Sequence, residues 1–335
     1  MRDGQAAGPL LVVGAGAVGG YIAAHLARAS ESVAVLEPWA PNRKAIREKG
    51  MTVEEPAGDF HVKLATVAEA GEVAPRLVIL CTKLADTPAI VAAIERQYRG
   101  PYLVTLNALA DFDLAQQLGA ARVMGCIVTG LFAKLAEPGR MQRHRRRNDG
   151  GAATFRIGET MGAATPRIHA LVELLGQVDG AEAVDDLAAA RWTKLVFNCM
   201  TSPLCALRRT TLRALFIEAP LRAELTAVAL EVVAVANAAG VALDPLCGIP
   251  GATWSAAARG DAAARDAVAA GLEYYGKKVD PAATSGMAQD LARGRRTEVS
   301  LINGAVVAQA WRFGLAAPAN TALISALDQA ASASA

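Results

Sequence analysis

Over its first half the chain alternates short, fully apolar runs with stretches of helical spacing. Residues 10–13 form an uninterrupted apolar run, followed by glycines and then by 18–29, where apolar side chains recur with a helical period. Residues 32–36 predict a second strand, 43–49 a helix, 77–81 a buried strand and 86–97 another helix. The runs at 102–106 and 122–128 repeat the theme. Apolar strands separated by helices imply a parallel sheet covered on both faces. Residues 51–53 and 60–64 flank Glu55-Pro56-Ala57-Gly58-Asp59, the composition of a hairpin turn. Residues 131–136 and 154–157 predict further strands around Pro138-Gly139.

From about residue 185 to 330 the pattern changes. Alanine and leucine dominate, the spacing is helical, and breaks fall at Gly240, Pro245, Gly248–Gly251, Asp280-Pro281, Arg293-Gly294 and Pro318. The fold class is therefore α/β: a doubly wound parallel sheet in an N-terminal domain, 1–184, followed by an all-helical domain, 185–335. A chain of 335 residues accommodates two such domains.

Composition narrows the function. Hydrophobic residues make up 53% and charged residues 20%, which excludes a mainly disordered chain. The 34 basic and 32 acidic residues nearly cancel, so nothing calls for a nucleic-acid or membrane-surface partner. The basic run His144-Arg145-Arg146-Arg147 reads as a solvated loop. The five cysteines, at 81, 126, 199, 205 and 247, form no CxxC pair. No metal centre or disulfide framework is expected, and a reducing, cytoplasmic compartment fits. The apolar stretch 227–243 is interrupted by Glu231 and Asn237, so no membrane span is expected. The glycines after residue 13 do not suit a signal peptide.

Gly14-Ala15-Gly16-Ala17-Val18-Gly19 is a GxGxxG element between a strand and a helix, the context in which it binds a dinucleotide. Gly14 permits the tight turn, Gly16 a close approach of backbone to pyrophosphate, and Gly19 close packing of helix on strand. The helix N-terminus offers N–H groups and a positive dipole end to phosphate. Glu37 ends the second strand. A carboxylate there favours the ribose hydroxyls of NAD, whereas Arg43 and Lys44 just beyond could receive the 2′-phosphate of NADP. Lys83 and Asn107 follow the strands at 77–81 and 102–106, where a doubly wound sheet opens its ligand crevice.

In the second half, Lys194, Asn198 and Ser202 stand at i, i+4 and i+8 and share one face of a predicted helix. An ammonium, an amide and a hydroxyl on one stripe of an apolar segment need a polar partner, and a substrate would be one. Pro203 is expected to kink or end that helix. Thr297 is expected to cap the following helix, with Glu298 in its first turn.

Together these elements resemble the ketopantoate reductase (2-dehydropantoate 2-reductase) family over essentially the whole chain. They are the N-terminal GxGxxG, the lysine after the strand at 77–81, Asn107, Lys194-x3-Asn198, and Gln289-Asp290 with Gly294-Arg295-x-Thr297-Glu298 and Asn303-Gly304. The resemblance implies a Rossmann domain, a helical domain, a site between them, and reduction of a 2-oxoacid by NADPH in pantothenate synthesis. It implies Lys194 as proton donor and Asn198 as substrate ligand. Asn107 would meet cofactor and substrate, Glu298 would hold the ribose side of the nicotinamide, and the backbone at Ala133 would touch the cofactor. Departures stand beside these. Asn107 is followed by Ala108 rather than glycine, Ser202 replaces an asparagine, Gly286 with Ser285 beside it replaces a serine, and Glu37-Pro38-Trp39 displaces an arginine. They leave NAD open as cofactor. They also leave open a different 2-oxoacid, and a non-catalytic NADP(H)-binding sensor as the alternative to an enzyme. A homodimer is likewise left open.

Overall fold

The computed structural model describes residues 8–147 and 153–333. They fall into two compact units whose boundary lies between Leu187 and Ala188.

In the first unit, β1 (Leu10–Val13), β2 (Val33–Leu36), β6 (Leu77–Leu80), β7 (Tyr102–Val104) and β8 (Val123–Val128) are the parallel heart of an eight-stranded sheet. The order is β12-β11-β8-β7-β6-β1-β2-β5. β5 (Ala65–Val67) extends it in parallel beyond β2. At the other edge β11 (Phe155–Glu159) runs antiparallel to β8, and β12 (Ala181–Ala183) pairs parallel with β11. The sheet is thus parallel at its centre with one reversed edge, which the apolar runs alone do not reveal.

Both faces of β1 are buried. Leu10 and Val12 face α1 (Ala17–Arg28) and α5 (Pro166–Gly176). Leu11 and Val13 join the core that includes α3 (Thr87–Ile94) and α4 (Ala110–Leu118). This double burial explains why these strands read as continuous apolar runs.

A second, four-stranded sheet orders β4-β3-β10-β9. β3 (Met51–Glu54) and β4 (Phe60–Val62) form the predicted hairpin, and β9 (Ala133–Glu137) with β10 (Arg140–Arg143) forms another about Pro138-Gly139. The hairpins join through parallel β3 and β10. Met51, Val53 and Met141 of this sheet share a core with Tyr21, Ile22 and Leu26 of α1.

A buried polar chain runs through this layer. The Tyr21 hydroxyl donates to Glu55 Oε2 at 2.5 Å and accepts from Arg143 Nη1 at 2.9 Å. Arg143 Nη2 pairs with Asp179 Oδ2 at 2.5 Å, and the Thr154 hydroxyl donates to the same oxygen at 2.9 Å. From the basic run, Arg147 lies 3.8 Å from Glu55 and the Arg146 carbonyl accepts from Arg143 Nη2 at 3.3 Å, while the His144 and Arg146 residues are exposed and Arg145 lies over the Phe132 ring.

His25 packs beside Tyr21 and Phe60 with Nε2 3.4 Å from Glu55. Burial depresses its pKa from 6.5 to about 4, against the pull of Glu55 and with the help of Arg147 and Arg28. The folded protein therefore holds His25 neutral, while the unfolded chain takes up its proton below about pH 6.5. Stability is expected to fall as pH drops from about 6.5 toward 4, by up to about 3 kcal/mol from this residue. Urea unfolding of wild type and His25→Gln across that window checks it. A slope that His25→Gln leaves unchanged would remove His25 as the cause.

The described residues of the second unit form helices joined by loops, with an isolated bridge between Leu246 and Ile249. The helices are α6 (Leu187–Arg208), α7 (Leu212–Ile217), α8 (Ala219–Ala238), α9 (Gly251–Ala258), α10 (Ala262–Gly276), α11 (Gly286–Ala292), α12 (Val299–Arg312) and α13 (Pro318–Ala333). Thr211, Asp261 and Ser285 cap α7, α10 and α11 by accepting from Ala214, Ala264 and Ala288 N–H groups. Of the kink or end expected at Pro203, the end is ruled out, because α6 runs through it to Arg208. The cap position of α12 falls on Glu298 rather than Thr297, and no side chain caps it.

Candidate active site

The strand order reverses between β6 and β1, so the crevice of this sheet opens at their C-terminal ends. Gly14 to Gly19 follow β1 there. Gly14 has φ +86°, and a Cβ on it would lie 3.0 Å from the Cys81 carbonyl oxygen. A Cβ on Gly19 would lie 2.0 Å from the Gly14 oxygen and 2.8 Å from Cys81 Cβ, so α1 sits hard against β6. A Cβ on Gly16 would meet nothing within 4 Å. The loop is packed from below and open above, and no side chain caps the N-terminus of α1. These residues fit a dinucleotide pyrophosphate.

Glu37, at the end of β2, is buried. Its carboxylate accepts from Ala15 N at 2.7 Å, Trp39 N at 2.8 Å and Asn42 Nδ2 at 3.0 Å. Asn42, wholly buried, also donates to the Ala15 carbonyl at 3.0 Å and accepts from Gly139 N at 2.9 Å. Glu37 and Asn42 together tie the glycine loop to α2 (Ala40–Lys49) and to the second sheet. Sequence reasoning missed Asn42, because its partners lie 27 and 97 positions away. Arg43 Nη1 donates to the Glu37 carbonyl at 2.6 Å and to the Pro38 carbonyl at 3.1 Å, with the side chain half-exposed beside exposed Lys44.

Lys83 is exposed in the turn after β6, and Asn107 is half-exposed after β7. These residues and Glu37 thus share one end of the sheet with the glycine loop. Ala108 has φ +56°, a region that costs a non-glycine residue about 1–2 kcal/mol. Ala133 opens β9 and so belongs to the other sheet. A cavity of about 640 Å³ lies at the opposite, N-terminal edge, where Leu10, Leu77, Pro101 and Met124 meet α5. Its Arg76 and Arg122 are paired with Glu31 and Glu95.

In the second unit, the half-exposed positions of α6 from Arg191 to Ala206 are Lys194, Phe197, Asn198 and Ser202, and the rest are buried. The polar stripe is the accessible strip of an otherwise core helix. Ser285 is buried. Its hydroxyl donates to the Ser202 carbonyl at 3.0 Å and accepts from Ala288 N at 3.1 Å. Glu298 is half-exposed at the start of α12. Among the described residues no group of three or more histidine, cysteine or acidic side chains could hold a metal ion, and no helix is long and apolar enough to cross a membrane. Burial pushes the Cys81 thiol up to about 12, away from nucleophilic use.

A doubly wound sheet with an open glycine loop at its switch point, followed by a helical unit with a lysine stripe, defines a nicotinamide-dependent oxidoreductase. The pattern described as Ketopantoate reductase PanE/ApbA matches residues 10–159, and that of its C-terminal region matches 186–331. The 2-dehydropantoate 2-reductase of Halobacterium salinarum is 30% identical over 316 residues, covering 92% of this chain and 94% of that protein. The crystal structure of 2-dehydropantoate 2-reductase from Geobacter metallireducens is 27% identical with a TM-score of 0.77, over 96% of this chain and 99% of that one. A D-mandelate dehydrogenase in complex with NADH shares the fold, with a TM-score of 0.79 at 19% identity over 98% of this chain and 100% of that one. The chain belongs to the ketopantoate reductase family.

Proposed function

We propose that this protein reduces 2-dehydropantoate to pantoate with NADPH, in the cytoplasm, as a step of pantothenate synthesis. The observation that carries the reading is the half-exposed stripe of Lys194, Asn198 and Ser202 on buried α6. Reduction of a carbonyl places negative charge on its oxygen, and a positioned ammonium stabilises that charge and delivers the proton. Lys194 takes this role. Asn198 and Ser202 orient the substrate, Asn107 contacts both ligands, and Glu298 holds the ribose side of the nicotinamide. When bound, the reduced nicotinamide supplies the hydride. The backbone N–H groups from Gly14 to Gly19 hold its pyrophosphate, with Lys83 and Ala133 as further contacts.

The bonding of Glu37 supports NADPH. Both carboxylate oxygens already accept from N–H groups, so a ribose hydroxyl would have to compete for them. Arg43 is braced at the end of β2 through Nη1 and is half-exposed, and a guanidinium held there suits a phosphate. Arg43→Ala is expected to weaken NADPH binding about tenfold, or 1.4 kcal/mol, and to leave NADH binding nearly unchanged. Fluorescence titration with both reduced cofactors checks this. A wild-type Kd tenfold lower for NADH overturns the choice of NADPH. Cofactor oxidation in the presence of 2-dehydropantoate and other 2-oxoacids tests the reaction itself, and tight cofactor binding without any turnover would instead identify a sensor. Reduction of a different 2-oxoacid is the second reading, favoured by Ser202 and by the commitment of Ser285 to a helix cap.

A further inference from the structure

A proline inside a helix removes the N–H that would bond the carbonyl four residues earlier, and its ring crowds that carbonyl. In α6 the residue is Pro203 and the carbonyl is that of Cys199, which is buried. The helix nevertheless continues to Arg208. The missing donor comes from another helix: Asn303 Nδ2, on α12, donates to the Cys199 carbonyl at 3.3 Å.

Asn303 is itself held in place. Its Nδ2 also donates to Asn320 Oδ1 at 2.9 Å, and both side chains are wholly buried. Asn320 Nδ2 donates to Glu231 Oε2 at 2.8 Å and to the Val228 carbonyl at 3.3 Å. Glu231 in turn accepts from the Ala319 and Asn320 N–H groups that open α13. Asn303 Oδ1 finds no hydrogen-bond partner among the described residues. A buried unpaired oxygen is destabilising, and a leucine would avoid it, so what Asn303 contributes is its donor. The Ser285 hydroxyl supports the neighbouring carbonyl, that of Ser202.

Pro203 directly follows Ser202, and the hydrogen bond it cannot make, back to Cys199, would span the turn that joins Asn198 to Ser202. A kink there would swing Ser202 away from Lys194 and Asn198. We propose that Asn303 is a positioning residue, which replaces the hydrogen bond lost at Pro203 and so keeps Lys194, Asn198 and Ser202 in line for a 2-oxoacid. The proposal rests on the reductase reading given above.

Pro203→Ala restores an N–H able to bond Cys199, and in that background Asn303 becomes dispensable. Four proteins make the test: wild type, Asn303→Leu, Pro203→Ala and the double variant. Asn303→Leu alone is expected to lower kcat/KM for the 2-oxoacid by about 10- to 100-fold, the scale of a small misplacement, with the Kd of the cofactor unchanged. On the Pro203→Ala background the same change is expected to cost little. The loss of the Asn303–Asn320 bond is common to both backgrounds, so the cycle isolates the Cys199 contact. Equal losses in the two backgrounds, or no loss in either, overturn the proposal. Asn303→Ala supplies the comparison again should the leucine variant not fold. Hydrogen exchange of the amides of residues 204–206 reads the same contact without turnover. It should quicken with Asn303→Leu only where Pro203 is present. If wild type reduces no 2-oxoacid, the functional reading fails while this exchange pattern still decides whether Asn303 supports the helix.

Discussion

Lys194→Ala is expected to lower kcat by about 10²- to 10⁴-fold, the range for a lost general acid, with cofactor affinity unchanged. The affinity should hold because the glycine loop, Glu37 and Arg43 belong to the first unit and Lys194 to the second. Lys194→Arg separates two contributions of the ammonium. Arginine keeps the positive charge but does not release a proton, since its pKa lies above about 12. If proton delivery dominates, Lys194→Arg stays nearly as slow as Lys194→Ala. If charge stabilisation dominates, it recovers much of the rate. Steady-state kinetics with both variants decide this, and turnover near the wild-type rate in Lys194→Ala would remove Lys194 from the chemistry.

The second large effect concerns substrate choice. 2-Dehydropantoate carries a terminal hydroxyl, and a pocket built to bond such a group rejects analogues without it by as much as about 10⁴. Here Ser202 offers a shorter reach than an amide. Gly286 offers no side chain, and Ser285 is engaged at the start of α11, donating to the Ser202 carbonyl. Discrimination between 2-dehydropantoate and 2-oxoisovalerate in kcat/KM is therefore expected to fall well below about 10⁴. Ser202→Asn, which restores the amide, should widen the gap by raising activity on the hydroxylated substrate. A wild-type preference of four orders of magnitude would contradict the relaxed pocket and leave the ordinary family reaction.

The parts of this protein that were legible in sequence are those whose causes are local. The glycine loop is such a case, because the turn at Gly14, the packing at Gly19 and the start of α1 are all set within a few residues. The stripe on α6 is another, since helical spacing alone aligns Lys194, Asn198 and Ser202. Where the cause is distant, the reading stopped. Glu37 is recognisable by position, but the hydrogen bonds its carboxylate accepts from Ala15 and Asn42 have no mark in the local sequence. That α6 continues past Pro203 has no local mark either, because the donor to the Cys199 carbonyl is 104 positions away. The hairpin of β3 and β4 announces itself in its turn residues. The parallel pairing of β3 with β10, which makes the second sheet, has no local mark.

The buried chain of Tyr21, Glu55, Arg143, Thr154 and Asp179 has a consequence for the order of events at synthesis. Arg143 and Asp179 are almost fully excluded from solvent, and a buried ion left without its partner is strongly destabilising. Tyr21 emerges early, yet Arg143 must wait for Asp179, which lies just before the last strand of the sheet. The glycine loop, complete within the first twenty residues, is therefore held by a scaffold that closes only once about 180 residues have left the ribosome. A nascent or truncated chain ending after β10 carries the whole phosphate-binding sequence but lacks Asp179, the carboxylate that pairs with Arg143 in the folded unit.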